Sequence, residues 1–598
     1  MATYFISIGK TSEIKNLATL LSKLQGFEEQ EQKVIEVYSQ SSVLLMGKGV
    51  NSMKHKDLEE QFFTGWILDH ESSSISLGQS GFMKGLNRIS KSELATKEGS
   101  FVHAEWNEKS FTIRHDCFGL YPILYFRTKN LFIASDSLLT LSQVREMLSL
   151  ERKRNNKVHS TRSWTHGLAC SIMSTQTILK SVKYLPPASS ILVHYSGTSS
   201  TYSLTIDEKI PHFPSVFAGS DEPYMAQLHT CMKQIIGSMT AIHSFVETRL
   251  KFGLSGGLDS RVILGALQYN QLSLDNVDIR SNTHSSRSND LQVVEELSKE
   301  FGFDFNKEDK SKEISQRSGA KPVRISNMFG NWALASLGLF DMTYMYPSYW
   351  DHPAVIEIGG HGAEIVKGTF ADMSLFRIAF RKMPYQYMKI RSEIKHGLKS
   401  IGIPFNHKNK MQWHYLAYKS AIQNGRSIER TLLAARPLMN RKLCTLGLNH
   451  PSEQPNMILE DLLILLNPRL ASIPFDLESK NISEDHISLR IEQSSELDLT
   501  ATIKPYDVFG TIFDIRNGSL DSFSVFGDEF PVKSDQMKQN ILVKMEEVWN
   551  SSMPPKLQKQ YLKAYNLAKK RLNDSGMYAP SAGTPAAKVI HLSLVGNK

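Results

Sequence analysis

The chain has 598 residues, 41% hydrophobic and 22% charged, which is room for two to four folded units and too ordinary for a collagen-like, coiled-coil or wholly disordered protein. Its four cysteines, Cys117, Cys170, Cys231 and Cys444, are scattered without a CxxC pair, which excludes a disulfide framework and a thiolate zinc site and suits a reducing compartment. The formal charge of +9, from 69 basic and 60 acidic residues, attracts anions in general, but no dense basic run with interleaved aromatics marks a nucleic-acid surface.

Residues 1–7 lack the basic, apolar and small-residue pattern of a secretory leader. No apolar stretch approaches the ~20 residues needed to cross a bilayer, and the longest, at 457–466, is interrupted by Glu460 and Asp461. The expectation is a cytoplasmic protein without a membrane partner. The first two hundred residues read mainly as strands and turns. Period-two alternation at 100–106, 110–114, 123–126 and 131–134, and again at 189–195 before Ser196-Gly197, predicts antiparallel strands buried on one face. Pro211, Pro214, Gly219 and Pro223 then fall in a short polar stretch that reads as a linker.

Beyond the linker, Leu228, Met232, Ile235, Ile236 and Met239 have helical spacing. Residues 249–254 read as a strand, 261–268 as a helix, 276–280 as a strand and 289–301 as a helix. Strand and helix in alternation predict a parallel sheet covered on both faces. After about residue 488 the pattern is mixed, and the last hundred residues lean helical. The stretch 580–585, rich in Ser, Gly and Ala, reads as flexible.

The most informative run is Phe252-Gly253-Leu254-Ser255-Gly256-Gly257-Leu258-Asp259-Ser260-Arg261. A buried strand passes through a Gly-Gly turn directly into a helix. Adjacent glycines let the backbone fold closely around a ligand and aim several N–H groups at one point. The helix amino end adds partial positive charge, so the run suits a phosphate. Ser255 and Ser260 have hydroxyls to donate to phosphate oxygens. Asp259 beside an anion-binding turn calls for a cation between them, most simply Mg²⁺. The plain alternative is a turn whose Asp and Ser only cap the helix. It is not a Walker loop, because no Gly-Lys-Ser/Thr follows the glycines.

Ser255-Gly256-Gly257-Leu258-Asp259-Ser260 resembles the pyrophosphate-binding loop of the ATP pyrophosphatase superfamily, which includes asparagine synthetase, beta-lactam synthetase, lasso-peptide cyclases and several tRNA-modifying enzymes. The resemblance implies cleavage of ATP between the α- and β-phosphates, adenylation of a carboxylate or carbonyl, and nucleotide contacts from Leu254 through Ser260. Asp116-Cys117-Phe118-Gly119-Leu120-Tyr121-Pro122-Ile123-Leu124-Tyr125, then Ala134-Ser135-Asp136 and Leu185-Pro186-Pro187-Ala188, are similar in order to the asparagine synthetase amino-terminal domain. Glutamine-using members expose a cysteine at the mature amino terminus. This chain has Ala2 there, and Thr3 would be a nucleophile only after loss of two residues. The resemblance therefore implies a glutaminase-like fold without glutaminase chemistry, with the amine supplied as free ammonia or by the substrate itself.

A second loop, Ile358-Gly359-Gly360-His361-Gly362-Ala363-Glu364-Ile365-Val366-Lys367-Gly368, resembles the Ser-Gly-Glu-Gly-Ala-Asp-Glu loop of asparagine synthetase and, more closely, the Gly-His-Gly-Gly-Asp loop of lasso-peptide cyclases. On that alignment Glu364 stands at a second Mg²⁺-binding carboxylate facing Asp259. Gly359 and Gly360 would let the backbone approach the AMP portion. His361 takes the position of a catalytic Glu, where an imidazole titrating near neutrality would take a proton from the attacking amine. The competing reading is a His hydrogen-bonded in a tight turn. Ile365 replaces the family's last acidic residue. Arg436-Pro437-Leu438-Met439-Asn440 and Asn467-Pro468-Arg469-Leu470-Ala471-Ser472-Ile473-Pro474-Phe475 are similar to two further runs of the synthetase domain. Lys480 is the nearest candidate for the family's catalytic lysine, which would stabilise developing negative charge; the competing reading is a surface lysine. Asp290 is explained adequately as a helix N-cap.

The expected fold is α/β. It has an N-terminal-nucleophile-like, β-rich sandwich over 1–210, glutaminase-like but without the nucleophilic cysteine. A doubly wound parallel-sheet ATP-pyrophosphatase domain, adenine nucleotide α-hydrolase-like, follows over 211–490, and a mixed, largely helical extension covers 491–598. The expected function is an ATP- and Mg²⁺-dependent ligase that adenylates a carboxylate and lets an amine displace AMP, above all in intramolecular ring closure. Its partners would be a small-molecule or peptide carboxylate, with a precursor peptide and a partner protease. Ammonia-dependent amidation of a small or sugar acid, and tRNA modification, are the rivals.

Overall fold

The computed structural model of the chain describes every residue except 1, 24–31, 39, 48–49, 51–59, 87–90, 162–169, 198–201, 210–212, 246–247, 285–287, 309–321, 340–344, 346–354, 372–373, 377–385, 426–432, 450–454, 516–524, 528–529, 578 and 596–598. Alternation in the first third of the chain closes into two sheets. Their strands are β1 (Phe5–Lys10), β2 (Gln32–Tyr38), β3 (Ser41–Met46), β4 (Gln61–Asp69), β5 (Ser74–Leu77), β6 (Glu98–Trp106), β7 (Ser110–His115), β8 (Leu124–Arg127), β9 (Leu131–Ser135), β10 (Lys183–Tyr184), β11 (Ser190–Ser196) and β12 (Ser203–Lys209). One sheet has the order β10-β8-β9-β1-β3-β2, and the other runs β12-β11-β7-β6-β4-β5 with one further strand at its edge.

The period of two decides the layering. Ile6 and Ile8 of β1, with Val43 and Leu45 of β3, face Val102, Ala104, Ile113 and Ile191 of the second sheet in a shared core. Their neighbours Phe5, Leu44 and Met46 face the other way, into a core shared with the helices α1 (Thr11–Leu21) and α3 (Leu138–Met147). On the far face of the second sheet Phe63, Ile67 and Phe101 pack with Phe82 of α2 (Gly78–Gly85). The result is a four-layer stack of helix, sheet, sheet and helix.

Residues 249–435 form a second architecture. Strands β13 (Arg249–Gly253), β14 (Val277–Asn282), β15 (Asn306–Glu308), β16 (Val355–Ile358) and β17 (Leu433–Ala435) pair in the order β15-β14-β13-β16-β17, every pair parallel. The chain winds outward from β13 on one side, then returns to the other side through β16. The loops after β13 and β16 therefore part in opposite directions and leave a crevice at the carboxyl ends of the strands. Helices α4 (Tyr224–His243), α5 (Leu258–Tyr269), α6 (Ser288–Phe301) and α8 (Met457–Leu466) supply the layers around this sheet, while α7 (Ile325–Ser336) packs against the helix Ala579–Val595.

Three local expectations are corrected. The stretch read as a linker, about 205–223, begins within β12 and holds a short buried helix at Phe213–Val216. There Phe213 and Phe217 pack edge-on against Trp413, because a polar-looking stretch with two aromatics still has apolar area to bury. A strand beyond residue 490, β18 (Asp507–Phe509), pairs in parallel with β5 and completes the amino-terminal sheet. The stretch 580–585 lies inside α11 (Ala579–Val595), which packs with α9 (Ser534–Ser551) and α10 (Pro555–Leu572). Ala582, Ala586 and Ala587 are fully buried, so the small residues allow close helix packing there rather than looseness. All four cysteines are free and buried. Among the described residues no helix is long and apolar enough to cross a membrane.

Candidate functional site

Buried Phe252 and Leu254 bracket the exit of β13, and Leu254 N donates to Arg280 O at 2.9 Å as the last rung to β14. The chain then turns at Ser255-Gly256-Gly257, and α5 starts at Leu258. Ser260, on the first turn, folds back over the loop. Its Oγ lies 3.2 Å from Ser255 N, 3.1 Å from Ser255 Oγ and 3.0 Å from Ser255 O, while Gly257 N donates to Ser255 Oγ at 3.3 Å. Gly256 N donates to Asp290 Oδ1 of α6 at 3.1 Å. A Cβ on Gly256 would come within 3.0 Å of the Asp476 side chain, so only glycine lets these segments meet.

The loop's own amides are thus tied within the protein, which differs from the expectation that they point at an anion. The amides left for a ligand are those of the first turn of α5, which a helix cannot satisfy internally. Gly257 at the helix start has no side chain to cap them.

The second loop leaves β16 at Gly359, whose N–H bonds Ala435 O of β17 at 3.2 Å. The two loops touch: a Cβ on Gly360 would lie 2.9 Å from Asp259 Cβ. Gly362 adopts φ +102°, and a Cβ there would meet Leu438 O at 2.6 Å, so glycine is needed to launch the turn Ala363–Val366.

Asp259 and Glu364 have different surroundings. Glu364 Oε1 accepts hydrogen bonds from Tyr415 Oη at 2.8 Å and Asn424 Nδ2 at 2.7 Å, and Oε2 accepts from Gly362 N at 3.2 Å. Tyr415 opens a π-helical turn, Tyr415–Ser420, of the kind often found at functional sites. The group at Asp259 is Lys367, whose Nζ lies 2.6 Å from Oδ1, as an ion pair without hydrogen-bond alignment. Among the described residues no three His, Cys, Asp or Glu side chains are arranged to hold a metal. Asp259 Oδ1 is buried and makes no hydrogen bond. One such oxygen beside open helix amides fits an Mg²⁺ that takes its other ligands from phosphates and water.

His361 folds against Gly359, where an added Cβ would lie 2.8 Å from its Cδ2. Burial and then Arg436 push the imidazole down to about 4, against the pull of Glu364. It is therefore neutral at pH 7, accepts hydrogen bonds and is a weak base, whereas the sequence predicts a group titrating near neutrality. Lys480 is 40% exposed, and its Nζ lies 2.9 and 2.8 Å from the two oxygens of Asp476. Since Asp476 abuts Gly256, Lys480 reaches the edge of the loop through that carboxylate.

Two site residues escape the sequence reading. Arg261, fully buried on α5, donates to Leu470 O at 3.2 Å, Ile473 O at 2.5 Å and Pro474 O, with its guanidinium 3.7 Å above the Phe475 ring. It fastens 470–476, and with it Asp476, to the helix that begins at the loop. Burial lowers its pKa to about 10, with Asp476 and Glu296 opposing. A charged residue heading the apolar run Val262-Ile263-Leu264 was the available signal. Lys367 had a fainter one, a lone base ending the second loop.

In the sandwich, the polar groups nearest the start of β1 face each other. Thr3 N donates to Asp136 Oδ1 at 2.9 Å, and the Thr3 hydroxyl bonds Asp136 Oδ2 and lies 2.7 Å from Tyr121 Oη. Ala2 is buried, and burial with Glu98 and Asp116 nearby drives the Cys117 thiol far above its usual range, so it is no thiolate. No protein-family model matches the sequence, and no curated protein matches it.

Proposed function

We propose that this chain is an ATP-dependent carbon–nitrogen ligase, similar in plan to asparagine synthetase, that adenylates a carboxylate and joins it to an amine. One observation carries the reading. The Ser255–Ser260 turn and the Gly359–Gly362 loop meet at Asp259 and Gly360, at the carboxyl edge of a parallel sheet where the strand order reverses. Nucleotides bind at such switch points. The four-layer sandwich supports the finer assignment of an N-terminal-nucleophile-like, glutaminase-like partner to an adenine nucleotide α-hydrolase-like unit.

In this reading the first-turn amides of α5 and the Ser255 hydroxyl receive the phosphates, and Asp259 holds Mg²⁺. When bound, that ion draws charge from the phosphates and eases departure of pyrophosphate. A carboxylate oxygen attacks the α-phosphorus and pyrophosphate leaves; the neutral amine then attacks the acyl carbon, the acyl–oxygen bond breaks to release AMP, and the amine's proton passes to solvent. Neutral His361 accepts a hydrogen bond from the amine and so fixes its approach. Lys480 lies near enough to shield charge at the loop's edge.

The enclosed corner at Thr3 and the protonated Cys117 support an amine carried by the substrate, hence ring closure on a peptide or small molecule. A precursor peptide and a protease would then be its partners. A specific feature favours amidation with ammonia as the second reading. A cavity of about 30 Å³, the size of one small molecule, lies between sandwich and parallel sheet, lined by His70, Glu98, Ser238, Arg436 and Asn440, and Arg436 is also the charge felt by His361.

The test is exchange of labelled pyrophosphate into ATP with candidate acids. AMP and pyrophosphate are the expected products, and Asp259→Ala should lower exchange by about 100-fold or more. Formation of ADP and phosphate, or full activity in Asp259→Ala, would overturn the proposal.

A further inference from the structure

Lys367 is rooted on one loop and pairs with the other. Its backbone N–H closes the turn Ala363–Val366 onto Ala363 O at 2.8 Å. That turn is pinned by the left-handed Gly362 and by the three hydrogen bonds to Glu364. From this base the side chain crosses the crevice to Asp259 at 2.6 Å. Lys367 is 24% and Asp259 36% exposed, and the pair lacks hydrogen-bond alignment. With both side chains part-exposed and no hydrogen-bond alignment, solvent screens the pair and little holds the ammonium in place. What it does provide is a positive charge beside uncapped helix amides, where an anionic tail would lie. An ammonium on a flexible stem is a compact charge well suited to a phosphate oxygen.

We propose that Lys367 is a phosphate-binding residue of this site: paired with Asp259 before the nucleotide enters, it turns its ammonium to a phosphate oxygen and competes with a divalent metal for Asp259. This rests on the nucleotide reading above and adds a defined role for one residue. The site would then hold the triphosphate partly without metal, and Lys367 would delay loading of a metal in the absence of nucleotide.

Two binding measurements on the full chain test it, calorimetry with ATP in EDTA and Mn²⁺ binding alone by electron paramagnetic resonance. A charge-assisted hydrogen bond to phosphate implies that Lys367→Met binds metal-free ATP about tenfold more weakly, with Lys367→Arg close to wild type. Mn²⁺ alone should bind Lys367→Met about threefold more tightly, since Asp259 is no longer paired. Asp259→Asn should bind metal-free ATP more tightly than wild type, because it frees Lys367 and removes a negative charge. Metal-free ATP binding unchanged in Lys367→Met overturns the proposal. So does Asp259→Asn without a gain, which decides the matter even if Lys367→Met does not fold. If the wild type binds ATP neither with nor without Mg²⁺, the nucleotide reading itself fails.

Discussion

The sandwich and the parallel sheet each gather chemically capable side chains at one end of a central strand, and they treat them oppositely. At the start of β1, Thr3 and Asp136 are at most 1% exposed and bond each other. At the end of β13, Asp259 and Lys367 are 36% and 24% exposed and share one loose ion pair. The reason lies in the sheets. In the sandwich β1 is flanked by β3 and β9 and covered by helices, so its end is closed on every side. In the parallel sheet the winding reverses between β13 and β16, so the loops that leave these two strands head to opposite sides. Even the helix starts differ: Ser137 caps α3 with its side chain, whereas Gly257 leaves the amides of α5 without one. An aspartate is held structurally where hydrogen bonds reach both of its oxygens, as in Asp136, and keeps a buried oxygen without a hydrogen bond where the two loops of the parallel sheet meet, as in Asp259.

Four experiments test that contrast, beginning with Arg261, where the greatest loss is expected. Replacing it by Met leaves the carbonyls of Leu470, Ile473 and Pro474 without their buried donor, so urea unfolding should show a loss of about 3 kcal/mol. A loss below 1 kcal/mol would mean that 470–476 is held by something else.

Next comes a matched pair. Gly360→Val drives a branched side chain into Asp259 and should reduce pyrophosphate exchange by about 100-fold. Thr3→Val, equally close to its partners, should cost ~1–3 kcal/mol of stability yet leave exchange within about twofold. Exchange lost in Thr3→Val would make the sandwich corner chemical and end the contrast.

The third concerns His591 of α11, fully buried with no hydrogen bond to either ring nitrogen and pushed down to about 3 by burial. Its folded pKa lies below the unfolded value of about 6.5, so the unfolded chain binds the extra proton between those limits. Its contribution is therefore intact above pH 6.5 and is lost as pH falls towards 3, by at most ~1.4 kcal/mol per unit. Unfolding midpoints measured from pH 7 to 4 should fall less steeply in His591→Phe than in wild type. The smallest effect is Ser137→Ala, which uncaps α3 and should cost ~1 kcal/mol without changing exchange. A fall in exchange would show that the sandwich helices tune the distant crevice.

Much of the frame was legible because it is local. Alternation marked the strands around β6, β7 and β9, and a strand running through Gly-Gly into a helix marked the turn at Ser255. The rest depends on residues far apart in the chain. Glu364 finds Tyr415 and Asn424, Gly256 finds Asp290 and Asp476, and β5 finds β18, each across a separation that no local pattern reports. His361 illustrates the same limit chemically, since its residue type suggests a group near neutrality and only its burial beside Arg436 lowers it to about 4.

From the chain alone one could place the alternating strands of the first sheets, the strand–turn–helix at Ser255 and the glycine turns, because backbone preference and apolar period act over a few residues; β18 and the buried helix over 580–585 carry no such local signal. Tertiary structure alone decided which carboxylate carries a lysine, which is fully hydrogen-bonded and which corner is sealed. Charge and solvation depend on neighbours in space, and those neighbours arrive only when the sheets close.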